Sequence, residues 1–299
     1  MKVALYGKKI DKKHVAEIQI LFELLSKNDV EYIVHHNLTT SIEAHNFIET
    51  ESVKYFNSYD DLKNSGISFV LSIGGDGTFL DTILLVRDLK IPILGINTGR
   101  LGFLSNTPTS EIKSAVKDLL NGNYSAEERS LLRLESNKNH FGKDNHALNE
   151  ISILKSDSSS MITIHTELNG THLNSYWTDG LIISTATGST AYSLSCGGPI
   201  MMPGSGNFVI TPIAPHNLNA RPLVISDSTK IKLEVSGREQ EFLMSLDSRI
   251  ATINENTQIF IEKAPFTIKT IALTNQSFLK TLRSKLLWGE DTRNLHNQS

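Results

Sequence analysis

Ile67-Ser68-Phe69-Val70-Leu71-Ser72-Ile73 runs without a break into Gly74-Gly75-Asp76-Gly77-Thr78, and an apolar stretch with helical spacing, Phe79–Leu89, follows. A short, mainly apolar run bounded by glycines predicts a strand covered on both faces, as in a parallel sheet. Three glycines in four positions leave the main chain bare enough for phosphate oxygens to approach closely. The helix behind them aims its first N–H groups and the positive end of its dipole at the same place. Open α/β sheets bind their ligands at that carboxyl edge.

Working outward, the same alternation continues on both sides. Val3–Tyr6 predicts a strand, Val15, Ile18, Leu21, Phe22 and Leu25 mark one helical face, Val30–Val34 predicts a strand and Ser41–Phe47 a helix. Downstream, Ile91–Ile96 predicts a strand and Glu111–Leu120 a helix stopped by Asn121-Gly122. Strand–helix alternation implies an α/β, Rossmann-like parallel sheet covered on both faces. After Gly122 the rhythm changes to short strands: Leu131–Leu134, Glu150–Leu154, Met161–Leu168, Leu181–Ser184, Phe208–Pro212, Lys230–Val235, Glu241–Leu246, Gln258–Ile261 and Thr267–Leu273. Turn signals at Asn169-Gly170 and Gly237 separate some of them, so a β-rich antiparallel region is expected. In the final stretch, Phe278–Trp288, residues Phe278, Leu279, Leu282, Leu286 and Leu287 share one helical face, predicting a tail helix docked on a domain.

Composition excludes several classes. A chain of 299 residues predicts about two domains. With 39% hydrophobic and 20% charged residues, it has the make-up of a globular protein rather than a disordered one. A net charge of −3 gives no basic surface for nucleic acid or an anionic membrane. The single cysteine, Cys196, excludes an internal disulfide and a thiolate zinc site, which fits a reducing compartment. No signal-peptide core or spanning run is evident, so the expectation is a cytoplasmic protein whose sequons at Asn37, Asn169 and Asn275 stay unglycosylated.

Two segments carry candidate chemistry. Asp76 is a carboxylate among expected phosphates, awkward for a binding group but suited to a base that takes a proton from a hydroxyl. The same pattern also fits a tight strand-to-helix turn with a solvated Asp. Gly-x-x-x-x-Gly-Lys-Ser/Thr, His-Glu-x-x-His and Gly-x-Ser-x-Gly are all missing, and Gly-x-Gly-x-x-Gly fails at Leu80. In the second segment, Thr178–Ser193, Ser and Thr crowd a short stretch, and with Ser195 just beyond it seven Ser or Thr hydroxyls fall between 184 and 195. So many polar side chains suit a loop lining a nucleotide pocket, with Tyr192 offering a ring face or an O–H, though a polar surface loop has the same composition. Asn149-Glu150 precedes a strand, where a sugar-binding pair and plain turn residues look alike.

At these residues the chain resembles the bacterial NAD kinases. Gly74–Thr78 resembles the family's GGDGT, Asn97–Leu104 its N-x-G-x-LGFL, Leu148-Asn149-Glu150 its LNE, and Asp179–Tyr192 its DGLIISTPTGSTAY. The first motif alone is shared with lipid kinases and phosphofructokinases; a lipid kinase gives no reason for the segment at 179–192. The resemblance implies transfer of a phosphoryl group from ATP to the 2′-hydroxyl of the adenosine ribose of NAD, giving NADP. It implies an α/β domain of residues 1–125 rejoined by the returning tail, 265–299, around a β-rich, sandwich-like domain, 126–264. Asp76 would be the proton acceptor, and Gly74, Gly75, Gly77 and Thr78 would form the ATP phosphate loop. Asp76, Gly77, Asn149, Glu150, Asp179, Thr187, Thr190, Ala191, Tyr192, Ser193 and Ala214 would contact NAD. Trp177 stands where relatives often carry a basic side chain, Arg249 where they often carry Gln, and Ala186 where proline is usual; Trp177 and Arg249 are kept as candidate NAD contacts. Mg²⁺ or another divalent cation is expected to ride on the ATP phosphates without a protein cage. A homodimer or homotetramer is expected, with no nucleic-acid or membrane partner.

Overall fold

The structure, a computed structural model, describes residues 1–45, 47, 53–156, 160–238, 240–274 and 276–288. The sequon at Asn275 lies outside them. The chain forms two compact units, Met1–Glu128 with the segment from Ile268 onward, and Arg129–Thr267.

The first unit runs β1 (Lys2–Gly7), α1 (Val15–Lys27), β2 (Glu31–His35), α2 (Thr39–His45), β3 (Lys54–Phe56), α3 (Tyr59–Lys63), β4 (Phe69–Ile73), α4 (Asp76–Val86), β5 (Ile93–Asn97), β6 (Thr107–Pro108) and α5 (Ile112–Asn121). Its sheet is parallel in the order β5-β4-β1-β2-β3, and the chain's last strand, Ile259–Leu273, joins β5 in parallel at Thr270. β4 and β5 are buried at every residue, as two-sided coverage requires. Ile18, Leu21, Phe22 and Leu25 of α1 and Ile112, Ala115, Val116 and Leu119 of α5 enter one core with strand residues Val3, Leu5, Leu71 and Ile96. The strand order reverses between β1 and β4, whose ends meet tightly: a Cβ on Gly7 would lie 2.8 Å from the Ile73 carbonyl. Gly74 begins at that switch point.

Two helix boundaries differ from expectation. The helix after the glycines begins at Asp76 rather than Phe79 and ends at Val86, with a 3-10 turn over Arg87–Leu89. Gly75 caps it in extended conformation, so Gly77 sits inside the first turn despite its poor helix propensity. The helix expected over Ser41–Phe47 is Thr39–His45; Phe47 lies beyond it, its ring stacked on Phe22 at 5.7 Å. Residue 46 lies outside the described residues. Gly122 ends α5 at φ +72°, the left-handed stop the sequence predicts.

The second unit takes over within β7 (Tyr124–Ser136) and continues through β8 (His146–Ala147), β9 (Glu150–Lys155), β10 (Ile162–Leu168), β11 (Thr171–Thr178), β12 (Gly180–Thr185), α6 (Tyr192–Ser195), β13 (Asn207–Ile213), β14 (Leu223–Ser226), β15 (Ile231–Ser236), β16 (Phe242–Leu246), β17 (Arg249–Ile253) and β18 (Ile259–Leu273). One antiparallel sheet has the order β14-β13-β12-β9-β16-β17; the other runs β11-β10-β15 onto the first half of β18. Ile151, Ile153, Leu181, Phe208 and Met244 from the first sheet share a core with Ile162, Ile164, Leu233 and Ile259 from the second, which makes the unit a β-sandwich. Asn169 and Gly170 turn the β10–β11 hairpin at φ +50° and +80°, the left-handed pair an Asn-Gly turn supplies. The two strands expected at 258–261 and 267–273 are one strand of 15 residues that runs through Pro265.

The tail helix α7 (Phe278–Leu286) docks on the first unit: Phe278 lies 6.2 Å from the Phe103 ring, and Gln276 Nε2 donates to Thr107 Oγ1 at 3.0 Å. Its buried residues are Thr281 and Leu282, while Leu279, Leu287 and Trp288 are exposed, so the expected apolar face is only partly used.

Candidate functional site

In the first unit the site is organised by Asp76. Its Oδ2 accepts from Phe103 N at 2.9 Å, and its Oδ1 from Leu104 N at 3.2 Å and Ser105 N at 2.9 Å. A loop 27 to 29 residues downstream is thereby folded onto one carboxylate. Asn97 shapes that loop from inside: Nδ2 donates to Arg100 O and Ser105 O, and Oδ1 accepts from Gly99 N at 2.7 Å. Ser105 Oγ donates to Gly74 O at 2.9 Å, closing the loop on the glycine turn. Gly102 is required sterically, since a Cβ there would fall 1.8 Å from Asp76 Oδ1. Gly74 is required too: its φ is +157°, and a Cβ would lie 2.2 Å from Thr78 Oγ1. Gly75 and Gly77 are different, because a Cβ on either meets nothing within 4 Å. Nothing in the folded chain asks for glycine at those two positions, so the bare surface serves whatever approaches from outside.

The second unit holds a matching arrangement that sequence reasoning missed. Asp247, 8% exposed on its side chain, accepts from the N–H groups of Leu148 (3.0 Å), Asn149 (2.8 Å) and Glu150 (3.2 Å). Asp247 itself sits at φ +51°. From the other side, Asn149 O accepts from Thr185 N at 2.9 Å and Ser184 Oγ at 3.1 Å. Gly188 packs so tightly there that a Cβ would come within 2.2 Å of the same oxygen. The main chain of Leu148–Glu150 is gripped on both sides, which aims the Asn149 and Glu150 side chains.

Glu150 is 8% exposed, and its Oε2 has no hydrogen-bond partner among the described residues. Burial, reinforced by the Asp247 charge and opposed by the Tyr192 N–H, pushes its carboxyl up to about 8. Burial also raises Asp247, while its three N–H donors and Arg249 pull the other way.

The Tyr192 N–H faces Glu150, and the other expected residues of the second unit are placed in the segments before and after β12. Asp179 Oδ1 pairs with Lys155 Nζ at 2.6 Å. Tyr192 is exposed, its hydroxyl held above the usual phenol range by partial burial. Thr187 is buried, Thr190 Oγ1 donates to Thr187 O at 3.3 Å, and Ala191 N donates to Gly188 O at 2.8 Å. Ala214 holds a left-handed φ of +44°, a strained conformation for a residue with a side chain. Trp177 is exposed with its ring 4.5 Å from His216.

The hydroxyl-rich segment is used differently from a lining of free donors. Ser184, Thr185, Ser189 and Ser193 are buried and bond within the unit: Thr185 Oγ1 to Leu148 O, Ser189 Oγ to Ala186 O, and Ser193 Oγ with Thr211 Oγ1 at 2.8 Å. Arg249 donates to the carbonyls of Asp144 and His146, tying down the chain before β9. Among the described residues no cluster of three His, Cys, Asp or Glu is placed to hold a metal ion, and no helix is long and apolar enough to cross a membrane.

Comparison with known proteins agrees with this geometry. The profile described as the ATP-NAD kinase N-terminal domain matches residues 3–124, and that of the C-terminal domain matches 148–273. The chain is 49% identical over 296 residues to an NAD kinase of Christiangramia forsetii, covering 98% of this chain and 100% of that one. It is 45% identical over 294 residues to an NAD kinase of Cytophaga hutchinsonii, with the same coverage of each. The crystal structure of an Archaeoglobus fulgidus NAD kinase in complex with ATP superposes with a TM-score of 0.72 at 27% identity, covering 96% of this chain and 99% of that one. Yeast NADH kinase complexed with NADH shares the fold at a TM-score of 0.85 and 22% identity, over 97% of this chain and 88% of that one. Profiles over most of the chain, relatives near half identity end to end, and the two carboxylate-gripped loops place this chain in the NAD kinase family.

Proposed function

We propose that the chain carries out its family's reaction, ATP-dependent phosphorylation of NAD to NADP, with Asp76 as the proton acceptor. One observation carries this reading: the Asp76 carboxylate is fixed at the carboxyl edge of the parallel sheet, beside two glycines that the fold itself does not need. A carboxylate has about four acceptor sites. Its three N–H donors put two bonds on Oδ1 and one on Oδ2, leaving an acceptor site on Oδ2 for a hydroxyl. The ribose 2′-oxygen attacks the γ-phosphorus, the bond from that phosphorus to the β,γ-bridging oxygen breaks, ADP leaves, and the hydroxyl proton passes to Asp76. Positioning and charge neutralisation provide most of the acceleration in such transfers.

Gly74, Gly75, Gly77 and Thr78 cradle the phosphates. A divalent cation such as Mg²⁺, if carried in on those phosphates, would supply charge neutralisation there; the open space beside Gly75 and Gly77 suits a hydrated metal–phosphate group. Asn149, Glu150, Asp179, Thr187, Thr190, Ala191, Tyr192 and Ala214 hold NAD, with the Trp177 ring at the exposed margin. Ser193 and Arg249 act from behind, holding the segments that present those groups. The protein works in the cytoplasm as a homodimer or homotetramer, which light scattering measures. The test of activity is NADP formation from NAD, ATP and Mg²⁺, read by an NADP-specific dehydrogenase. No NADP from folded protein rejects the reading.

A further inference from the structure

The tail that returns to the first unit does more than cover it. Gln276, in the link between β18 and α7, is half-buried and divides its side-chain amide between two segments. Its Oε1 accepts from Leu273 N at 3.2 Å, and its own N–H donates to Leu273 O at 2.8 Å, which closes the turn out of β18. With the oxygen so committed, Nε2 is aimed across at β6, where it donates to Thr107 Oγ1 at 3.0 Å and Asn106 O at 3.4 Å. Thr107 is fully buried and pairs with Ile96 in the parallel sheet, so its hydroxyl needs a partner within the protein.

Asn106 follows directly on Phe103, Leu104 and Ser105, the three residues whose N–H groups fasten Asp76. Asn97 shapes that loop from its upstream end, and the tail is joined to its downstream end. The tail also reaches the loop at Phe103. Phe278 lies against that ring, and Lys285 Nζ stands 6.0 Å from its centre, on the same residue whose N–H bonds Asp76 Oδ2. Oδ2 is the oxygen with an acceptor site left for the ribose hydroxyl, so a shift of Phe103 turns the accepting atom. Packing does not duplicate the polar link: beside it a cleft of about 310 Å³ opens among Asn106, Pro108, Ser114, Ser277 and Thr281.

We propose that Gln276 is a positioning residue for phosphoryl transfer, holding the downstream end of the Phe103–Thr107 segment so that Asp76 stays aimed at the substrate hydroxyl. This role depends on Asp76 being the proton acceptor. Gln276→Met keeps the side-chain length and removes every amide contact, whereas Thr107→Val removes only the hydroxyl and leaves the Gln276 turn whole. Circular dichroism checks that both variants fold. Hydrogen exchange on the full chain, followed by mass spectrometry, reads the fastening: in both variants the amides of Phe103–Ser105 exchange about tenfold faster, while those of α1 keep their rate. Steady-state kinetics read the consequence. In both variants kcat falls about tenfold with KM for NAD and for ATP within about twofold, since misplacing a reacting group acts on the transition state. On an Asp76→Asn background, Gln276→Met lowers kcat by no more than about twofold further, because the route through the carboxylate is already cut. Unchanged exchange at 103–105 in both variants overturns the proposal. Faster exchange with unchanged kcat, or a full further tenfold loss on the Asp76→Asn background, leaves Gln276 a structural residue and overturns it too. Full activity of Asp76→Asn, or no NADP from the wild-type chain, rejects the proposed chemistry and this role together; a slowed Asp76→Asn beside a fully active Gln276→Met rejects this role alone.

Discussion

Replacing Glu150 by glutamine should make the protein more stable in alkali and leave it nearly unchanged in acid. In the unfolded chain this carboxyl loses its proton near pH 4.5; in the folded chain it keeps it to about 8. Between those values the native state binds a proton that the unfolded state has lost, so stability is complete below 4.5 and falls as pH rises through 8. One pH unit corresponds to about 1.4 kcal/mol, which caps the penalty at roughly 5 kcal/mol. Two features of the site reduce it. The Tyr192 N–H bonds the carboxylate form, and Asp247, itself raised by burial, repels Glu150 only when ionised. A gain of about 2–3 kcal/mol for Glu150→Gln at pH 8.5 is therefore expected, against less than about 1 kcal/mol at pH 5, where the folded acid and the amide are neutral isosteres. For a domain of this size that is roughly 5–10 °C in thermal midpoint. Calorimetric melting of wild type and variant at both pH values measures it. A difference that is the same at pH 5 and pH 8.5, or a variant less stable at pH 8.5, refutes the reasoning.

Three further outcomes follow from the carboxylate-gripped loops. Asp76→Asn should lower kcat by roughly 10²–10⁴ while NAD affinity by equilibrium titration stays near normal, because the amide cannot take the proton; full activity would remove Asp76 from the chemistry. Gly102→Ala forces a methyl against Asp76 Oδ1, so kcat should fall with the loop displaced, while NAD binding to the free protein changes little. Asp247→Ala leaves three buried N–H groups without an acceptor and should cost about 3 kcal/mol or more in denaturant unfolding, with weaker NAD binding; an unaffected KM for NAD would show that Asp247 does not aim Asn149 and Glu150.

What the sequence made legible follows the range of the forces involved. The Ile67–Thr78 stretch announces its fold because strand, glycine turn and helix start are local, and the left-handed stop at Gly122 and the Asn169-Gly170 hairpin are legible for the same reason. Boundaries failed where tertiary structure overrides propensity: Gly77 reads as loop yet lies in helix, and Pro265 reads as a break yet lies inside β18. The tail helix shows the same limit, since its periodicity marks an apolar face but not how much of that face the first unit covers.

Within the site, Asp76 was legible as a candidate base and its fastening was not, because its partners stand 27 to 29 residues away. Asp247 was invisible for a stronger reason. It lies in Ser245-Leu246-Asp247-Ser248-Arg249, an unremarkable sequence whose significance comes from amides 97 to 99 residues upstream. Backbone donors carry no side-chain signature, so no pattern of residue types points to them. The same holds for the hydroxyls of 184–193: the composition shows that many polar groups need partners, but only the fold shows that most find them in the protein. A buried carboxylate gripping consecutive amides works by holding a strand end still. In both units the residues that the family motifs single out are therefore presented by a partner distant in the chain: the Phe103–Ser105 loop for Asp76, and Asp247 for Asn149 and Glu150.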